Sequence, residues 1–232
     1  MREGYKEIVA FCSMVLKHVD LPKRITNDLA YLCGVFAGDG SIHYNKRRGA
    51  LKVVGNPKDE KEFYFNVIQP KFKKIFGFDL NLRHHDSNTT FGFIFSSKML
   101  MGYLVNVIGL PNGRKYEKLK IPEPFLNRDS FLINFIRGVA DTDGCITFKK
   151  RYRDYPYYPV ICLASRSDSF MKEIATILKK VGLKIVEIYN YHKKDERVEL
   201  GYTIISRIEI NGRDNLDLWI EKVGFLSPKH LG

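Results

Sequence analysis

Two aspartates occupy the same place in a short stretch of sequence that occurs twice. The first copy covers residues 32–40 and the second residues 136–144, and a Gly-Val pair and an Asp-Gly pair recur in register. The matched acidic residues are Asp39 and Asp143. An Asp-Gly pair is also a common way to end a helix, and for one copy this structural explanation would suffice. Two copies with matching flanks favour a chemical role for both carboxylates.

Each copy lies in a segment with the apolar spacing of a helix. Leucine, isoleucine and valine recur three and four residues apart before each Asp-Gly pair, which is typical of a helix with a buried face. Asp28 is the expected N-cap of the first helix, and Asp129 or Ser130 that of the second. Gly40 and Gly144 are expected to end the two helices in left-handed turns.

Glycines within the first helix predict a close contact between helices. Gly34 and Gly38 each cost about 1 kcal/mol relative to alanine, a loss that tight packing of two backbones would offset. If the helices pair, Asp39 and Asp143 meet at helix C-termini, where the helix dipole and their mutual repulsion oppose negative charge. Bound divalent cations would relieve both penalties, so the pattern predicts a metal site at these two carboxylates.

Both stretches resemble the LAGLIDADG motif of homing endonucleases, with Asp39 and Asp143 in its acidic eighth position. Two motifs in one chain are similar to the monomeric members of that family, and the resemblance extends from about residue 28 to residue 230. It implies an α+β fold of two pseudo-symmetric αββαββα halves. These would form a saddle of antiparallel β-sheets with helices behind and the motif helices paired at the interface. It also implies Mg²⁺ or Mn²⁺ held by Asp39 and Asp143.

The resemblance implies further active-site residues near the two aspartates. Family members bring a lysine into the site from the loop after each closing helix, and Lys115 and Lys229 stand at equivalent places here. The expected catalytic residues are therefore Asp39, Asp143, Lys115 and Lys229. Three other basic residues compete for the first lysine's role: Arg114, Lys118 and Lys120.

A polar residue at the end of the second strand of each half also belongs to the site in this family. The matching positions are Asn56 in the first half and Ser165 or Arg166 in the second. Pro57, next to Asn56, departs from the family pattern.

Taken in order, the chain divides into four parts. Residues 1–24 are expected to form an appended N-terminal helix, residues 25–120 the first half, residues 121–130 a proline-containing linker and residues 131–232 the second half. After each motif, alternating and helical patterns predict a hairpin, a helix, a second hairpin and a closing helix.

Alternation along the predicted strands places basic and polar side chains opposite an apolar face. A β-ribbon of this kind fits the major groove of DNA, where each base pair presents a distinct hydrogen-bonding pattern. For any single residue, a solvated strand position explains the charge equally well, whereas the whole set favours DNA contact. The expected DNA-binding residues are His43, Asn45, Arg47, Arg83, His85, Lys149, Arg151, Arg153, Arg166, Tyr189, Tyr191, Lys193 and Arg207.

The composition restricts the possible partners. Lys and Arg number 38 against 26 Asp and Glu, a net charge of +12, which favours nucleic acid over the alternatives of an anionic membrane surface or plain solubility. No apolar run reaches membrane-spanning length, so no membrane partner is expected. The four cysteines lack the paired spacing of metal ligands. Such usage is expected of a reducing intracellular compartment, whether cytoplasm, nucleoid or organellar matrix.

These observations predict a site-specific homing endonuclease that acts as a monomer on a long duplex-DNA target. The resemblance implies metal-dependent cleavage of both strands across the minor groove, with short 3′ overhangs, by an intron-encoded protein. The alternative is an RNA-binding intron splicing maturase, or a non-cleaving DNA-binding protein, on the same scaffold. Intron RNA and duplex DNA are therefore the two partners to be distinguished.

Overall fold

Two four-stranded antiparallel sheets form the framework of the protein. In a computed structural model that describes residues 19–150 and 157–231, the strand orders are β1-β2-β4-β3 and β5-β6-β8-β7. This equivalence confirms the predicted α+β fold with two pseudo-symmetric αββαββα halves. Residues 1–18 of the expected N-terminal helix lie outside the described residues. The division of the chain at residues 121–130 stays a prediction.

The first half begins with helix α1 (Asn27–Gly38), followed by the hairpin of β1 (Gly40–Tyr44) and β2 (Gly49–Gly55). Helix α2 has three consecutive pieces, Lys61–Phe63, a π-helical segment Tyr64–Ile68, and Gln69–Phe76. The second hairpin pairs β3 (Arg83–His85) with β4 (Thr90–Ser96). The closing helix α3 (Lys98–Gly102) continues as a π-helical segment, Tyr103–Ile108.

The second half repeats this order after a short 3₁₀ turn, Glu123–Phe125. Helix α4 (Asp129–Asp143) leads into the hairpin of β5 (Gly144–Lys149) and β6 (Tyr158–Ser165). Helix α5 (Asp168–Lys180) is followed by the long hairpin of β7 (Ile185–Lys194) and β8 (Tyr202–Asn211). The closing helix α6 (Arg213–Lys222) and a 3₁₀ turn, Pro228–His230, complete the described chain.

The motif helices lie at the centre of the core. Every residue of α1 from Leu29 to Gly38 is buried, because the helix packs on its own half and on α4. An aromatic cluster supports the first sheet, with the ring of Phe72 lying 4.8–5.8 Å from those of Phe76, Phe93 and Phe95. In the second half Trp219 is fully buried.

Glycines allow α1 and α4 to touch backbone to backbone, as the sequence predicts. A Cβ added at Gly34 would lie 2.0 Å from the carbonyl oxygen of Phe135, and one at Gly138 would lie 2.2 Å from that of Tyr31. A Cβ at Gly38 would lie 2.0 Å from Oγ1 of Thr142. No side chain fits at these places, so the glycines are required by the helix contact.

The two expected helix caps are wrong. The side chain of Thr26 caps α1 by accepting a hydrogen bond from the backbone N–H of Leu29, 3.2 Å away. Asp28 instead accepts from Lys71 and Lys74 of α2. Arg128 occupies the N-cap position of α4 without a side-chain hydrogen bond. A local pattern cannot choose between neighbouring polar residues when one of them has partners on a distant helix.

Gly40 and Gly144 do not form the expected left-handed turns. Asp39 ends α1 in right-handed helical geometry, and Gly144 is extended, with φ −89° and ψ 161°. Each glycine is instead the first residue of a strand, and its backbone lies against the last turn of the preceding helix. A Cβ would lie 2.3 Å from the Phe36 carbonyl oxygen at Gly40 and 2.4 Å from that of Ala140 at Gly144.

The segment before residue 122 is attached to the second half. Oε2 of Glu173, on α5, accepts a hydrogen bond from the backbone N–H of Ile121 at 2.7 Å, and the Ser167 hydroxyl donates to the carbonyl oxygen of Leu119 at 3.4 Å. These bonds fix the chain that connects the halves. Among the described residues, no helix has the length and apolar character needed to cross a membrane.

Candidate active site

The paired motif helices bring Asp39 and Asp143 to one place between the two sheets. Asp39 is the C-cap of α1 and Asp143 is the last residue of α4, so the packing of these helices sets the separation of the carboxylates. Asp39 is half-buried and Asp143 is exposed as a whole residue, yet desolvation is the first cause of a raised pKa at both carboxyl groups. Each carboxylate therefore has protein close on one side and is open to a ligand from the solvent side.

Burial and like charge raise the pKa of both carboxyl groups. The pKa of Asp39 rises to about 7, first because of desolvation and then because of the negative charges of Asp143 and Glu60, while Lys229 and Lys115 oppose the rise. Desolvation also raises the pKa of Asp143. The protein thus holds two carboxylates where their charge is unfavourable, and a positive ligand would stabilise them.

Lys115 lies against the end of α1, which is the position that the family resemblance implies for it. Its Nζ donates to the carbonyl oxygens of Ala37 at 3.0 Å and Gly40 at 3.2 Å, and also to that of Gly38. Desolvation lowers the pKa of Lys115, while the charges of Asp143 and Asp39 oppose this shift. The competing residues Arg114, Lys118 and Lys120 are exposed, so the structure brings Lys115 alone of these four to the helix end.

Lys229 makes the corresponding contact in the second half. Its Nζ donates to the carbonyl oxygen of Thr142, the residue before Asp143, at 3.0 Å. The same Nζ donates to Oε1 of Glu60 at 2.6 Å, and the side chains of this ion pair are 17% and 8% exposed. The two lysines are therefore placed alike but partnered differently, since Lys115 donates to carbonyl oxygens and Lys229 also to a carboxylate.

Glu60 is a site residue that the sequence analysis missed. It stands at the start of α2, and its Oε2 accepts a hydrogen bond from the backbone N–H of Asn56 at 2.7 Å. Its negative charge raises the pKa of both Asp39 and Asp143. Pro57, which departs from the family pattern, was the feature of the sequence that could have pointed to Glu60. It lies in the turn between β2 and α2, which is longer than the corresponding turn of the second half and contains Glu60.

Asn56 does not reach the site as expected. Its side chain is exposed, donates to Asp59 at 2.8 Å and accepts from the backbone N–H of Lys58 at 3.0 Å. It therefore stabilises the turn that positions Glu60. In the second half, both predicted positions, Ser165 and Arg166, line a pocket of about 310 Å³ together with Asp143 and Lys115.

The loops that carry the lysines are anchored by two different side chains. In the first half, Asn112 accepts from the backbone N–H of Tyr44 at 2.9 Å and donates to its carbonyl oxygen at 2.8 Å. In the second half, the buried Asp141 accepts from the backbone N–H groups of Leu226 and Ser227 at 3.1 Å. Asp141 also accepts from the hydroxyl of Tyr31, on the other motif helix, at 2.6 Å.

The first sheet presents its predicted basic residues on the face away from the core. Ile42 and Leu51 are buried, so their neighbours His43 and Lys52 face outward, and Arg83 joins them through its pairing with Gly92. His85 shares the outward register of Arg83 and is half-buried. Asn45 and Arg47 lie in the exposed β1–β2 turn, where Oδ1 of Asn45 accepts from the backbone N–H of Arg47 at 2.9 Å.

In the second sheet, most of the described residues that were predicted to face away from the core do so, and one does not. Lys193 lines the same pocket as Asp143, and the guanidinium of Arg207 lies 4.9 Å from the ring centroid of Tyr191. Lys149 is exposed at the end of β5. Tyr189, however, lies on the helix side. Arg151 and Arg153 fall outside the described residues.

A strand irregularity explains the placement of Tyr189. The register between β7 and β8 shifts between Ile188 and Tyr191, and Asn190 has a positive φ of 52°. Strict alternation would put Tyr189 and Tyr191 on one face, but the irregularity separates them. Tyr189 packs against the core, with Nζ of Lys172 from α5 lying 5.0 Å from its ring centroid.

The donor set at the helix ends suits a hard divalent cation. Carboxylate oxygens of Asp39 and Asp143 stand beside backbone carbonyl groups, and oxygen ligands of this kind are preferred by Mg²⁺ and Mn²⁺. Within residues 19–150 and 157–231, no group of three or more His, Cys, Asp or Glu has a metal-holding arrangement. The protein would therefore contribute few ligands, as is common where Mg²⁺ is shared with phosphate groups.

The fold matches that of proteins of known structure. The chain is similar to mesophilic variants of the homing endonuclease I-DmoI, with 16% identity and a TM-score of 0.56 over 85% of this chain and 90% of that one. It is equally similar to I-DmoI in complex with DNA and Mn, with 15% identity and a TM-score of 0.56 over 85% of this chain and 96% of that one. The chain has the two-domain LAGLIDADG homing endonuclease fold.

The sequence supports the same classification for the second half. Residues 130–224 match the family model described as a LAGLIDADG-like domain. An uncharacterized protein of Methanocaldococcus jannaschii is 24% identical over 184 residues, which cover 76% of this chain and 62% of that protein. The chain thus aligns with less than two thirds of that relative's length. The predicted resemblance to LAGLIDADG proteins is confirmed.

Proposed function

We propose that this protein is a metal-dependent DNA endonuclease that cuts both strands of a long, specific duplex target. One observation carries the proposal. A lysine from the loop after each closing helix donates to backbone carbonyl oxygens at the end of a motif helix, Lys115 beside Asp39 and Lys229 beside Asp143, and the charges of both lysines act on both carboxylates. Two such pairs at the junction of two sheets provide one site for each strand of a duplex.

The proposed roles follow from charge and position. Asp39 and Asp143 would hold Mg²⁺ or Mn²⁺, and structures of I-DmoI with DNA were obtained with Mn, Mg and Ca. When bound, such a cation makes water a stronger nucleophile and stabilises the charge of the leaving 3′ oxygen. Lys115 and Lys229 would place positive charge beside the scissile phosphates, where negative charge grows during displacement.

The outward faces of the sheets would bind the duplex. Basic side chains such as Arg83, Lys149, Lys193 and Arg207 supply affinity and register through phosphates, and base contacts in the major groove supply specificity. The paired sites are proposed to act across the minor groove and to leave short 3′ overhangs. The intron-encoded origin and monomeric action expected from the sequence remain part of this proposal.

The test is cleavage of a plasmid library of candidate insertion sites with Mg²⁺, with Mn²⁺ and with EDTA. Discrete, metal-dependent double-strand cuts are expected for the wild-type protein. Asp39→Asn and Asp143→Asn should each lose double-strand cleavage by at least about a hundredfold while DNA binding persists, because each removes a proposed metal ligand and leaves the sheets intact.

The matched control is Asp79→Asn, which removes an exposed carboxylate paired with Lys73 on the surface of the same half. It should cleave like the wild type. Full activity in Asp39→Asn or Asp143→Asn would contradict the proposed site. Tight binding of intron RNA, with duplex DNA left uncut under every metal, would favour the maturase alternative.

A further inference from the structure

Two cysteines lie side by side across the first hairpin of the second half. Cys145 on β5 is paired in register with Cys162 on β6. Their strand neighbours Ile161 and Leu163 are buried in the core, so both thiols lie on the opposite, outward face of the sheet. Cys145 is exposed and Cys162 is half-buried. A small oxidant can therefore reach the pair from solvent.

The geometry of this pair suits a covalent bond. Directly opposed residues of antiparallel strands have Cα atoms about 4.5–5.5 Å apart, within the range of about 4.4–6.8 Å found for disulfides. Both side chains lie on the same outward face of directly paired positions, so the two thiols stand next to each other. The strands are held in register by their own ladder, and a bond would need only side-chain rotation.

We propose that Cys145 and Cys162 form an oxidation-sensitive dithiol, which a hydroperoxide converts into a reversible cross-strand disulfide. One cysteine, as its thiolate, attacks a peroxide oxygen, which breaks the O–O bond and leaves a sulfenic acid and hydroxide. The second thiol attacks the sulfenic sulfur, the S–S bond forms, and water leaves. The two cysteines lose two electrons and the peroxide gains them. A thiol reductant reverses the change by exchange.

The cysteine pair lies close to the candidate active site and to the outward face of the sheet. Gly144 alone separates Cys145 from Asp143 in the chain. Arg207, a proposed DNA contact, pairs with Ala164 two residues beyond Cys162. A disulfide would thus fix the β5–β6 hairpin within the outward face. The oxidation of the cysteine pair does not depend on the proposed nuclease function, because it needs only the two thiols and an oxidant.

Cys33 provides a control within the same chain. It lies in the middle of α1 and is fully buried in the core, and burial raises the pKa of its thiol well above the ordinary value. A buried thiol of this kind is inert towards peroxide. Selective oxidation of the cross-strand pair, with Cys33 intact, would therefore reflect the placement proposed here.

The experiment treats the purified wild-type protein with hydrogen peroxide, blocks free thiols with N-ethylmaleimide after denaturation, and digests with trypsin without reduction. The expected product joins the peptide 138–149, which holds Cys145, to the peptide 154–166, which holds Cys162. Dithiothreitol should release both. The peptides 7–17 and 25–46, which hold Cys12 and Cys33, report on the other two thiols separately.

Two variants complete the test. Cys162→Ser should form no cross-link and should accumulate sulfenic or sulfinic acid at Cys145, whereas Cys33→Ser should form the cross-link at the wild-type rate. The proposal is overturned if peroxide leaves both thiols free, if it yields sulfinic acid in the wild-type protein without a cross-link, or if the linked peptides come from two different chains.

Discussion

Lys115 and Lys229 occupy equivalent places but have different partners. Nζ of Lys229 contacts the carboxylate of Glu60 at 2.6 Å, while Lys115 donates to the carbonyl oxygens at the end of α1. A hydrogen bond between charged groups contributes about 1.5–3 kcal/mol. The two proposed strand-cutting sites are therefore electrostatically unequal, and Glu60 is the residue that makes them so.

Glu60→Gln is expected to change the nicking rate of one strand more than that of the other, by about tenfold, because it leaves Lys229 without its charged partner. Strand-specific end labelling of a cleaved target would measure both rates. The matched control is Glu62→Gln on the exposed face of α2, which should leave the ratio unchanged. An equal loss on both strands in Glu60→Gln would contradict a role at one site.

The raised pKa of Asp39 makes stability depend on pH in the absence of metal. Its pKa is about 7 in the folded protein against an ordinary value of 3.8, so the folded state binds the proton more tightly. The free energy of unfolding should therefore fall as pH rises from about 4 to about 7, and the destabilisation is complete above pH 7. In EDTA, Asp39→Asn should melt at a higher temperature than the wild type at pH 8.

Thermal melts between pH 5 and pH 8, with and without Mn²⁺, would measure this effect. Mn²⁺ should raise the melting temperature of the wild type at pH 8 more than that of Asp39→Asn, because a ligand that binds only the folded state stabilises it. A wild-type melting temperature that rises steadily with pH in EDTA would contradict the sign of the effect.

At the scale of elements, the contact between α1 and α4 holds the site together. The glycines at this contact place the two carboxylates, since α1 and α4 end at Asp39 and Asp143. The hydrogen bond between Tyr31 and the buried Asp141 joins the same two helices. A shift of either helix would therefore move a carboxylate, its loop and its lysine together.

Gly34→Ala and Gly138→Ala are each expected to destabilise the protein by at least about 2 kcal/mol, because overpacking of a close contact forces the backbones apart. At both positions the new Cβ would meet a carbonyl oxygen of the other helix at 2.0–2.2 Å. Denaturant unfolding would measure the change. The loss of cleavage should exceed what the remaining folded fraction predicts.

The matched control is Gly102→Ala, another helical glycine. Its added Cβ would lie 3.1 Å from the hydroxyl of Tyr44, the flexible end of a side chain. The higher helix propensity of alanine, about 1 kcal/mol, should offset this contact. Unfolding free energies of Gly34→Ala and Gly138→Ala equal to that of the control would show that the helix contact tolerates a methyl group.

At the scale of the whole molecule, the net charge of +12 and the outward basic faces act together. A protein that contacts six or more phosphates loses about a thousandfold in DNA affinity between 50 mM and 200 mM salt. We expect a salt dependence of this size for binding to duplex DNA, measured by fluorescence anisotropy. Arg83→Ala should reduce the slope of log affinity against log salt concentration by about one. Lys58→Ala, at an exposed turn position, serves as the comparison. An affinity insensitive to salt would contradict binding through phosphates.

The sequence by itself determined the features that depend on local pattern and repetition. Periodicity gave the order of helices and strands in both halves, and the repeat identified Asp39 and Asp143. The resemblance to the LAGLIDADG family implied Lys115 and Lys229, which stand at equivalent places after the closing helices. The prediction of the fold is confirmed because amphipathic spacing is a property of consecutive residues, while the roles of the four site residues stay predictions.

Only the tertiary structure decided the contacts between distant residues. Glu60 meets Lys229 although they stand 169 positions apart, and Thr26 caps α1 because Asp28 is held by lysines of α2. Tyr189 turned to the helix side at a strand irregularity that strict alternation does not foresee. In each case the free energy comes from burial, charge and hydrogen bonds between separate elements, and these exist only once those elements have packed.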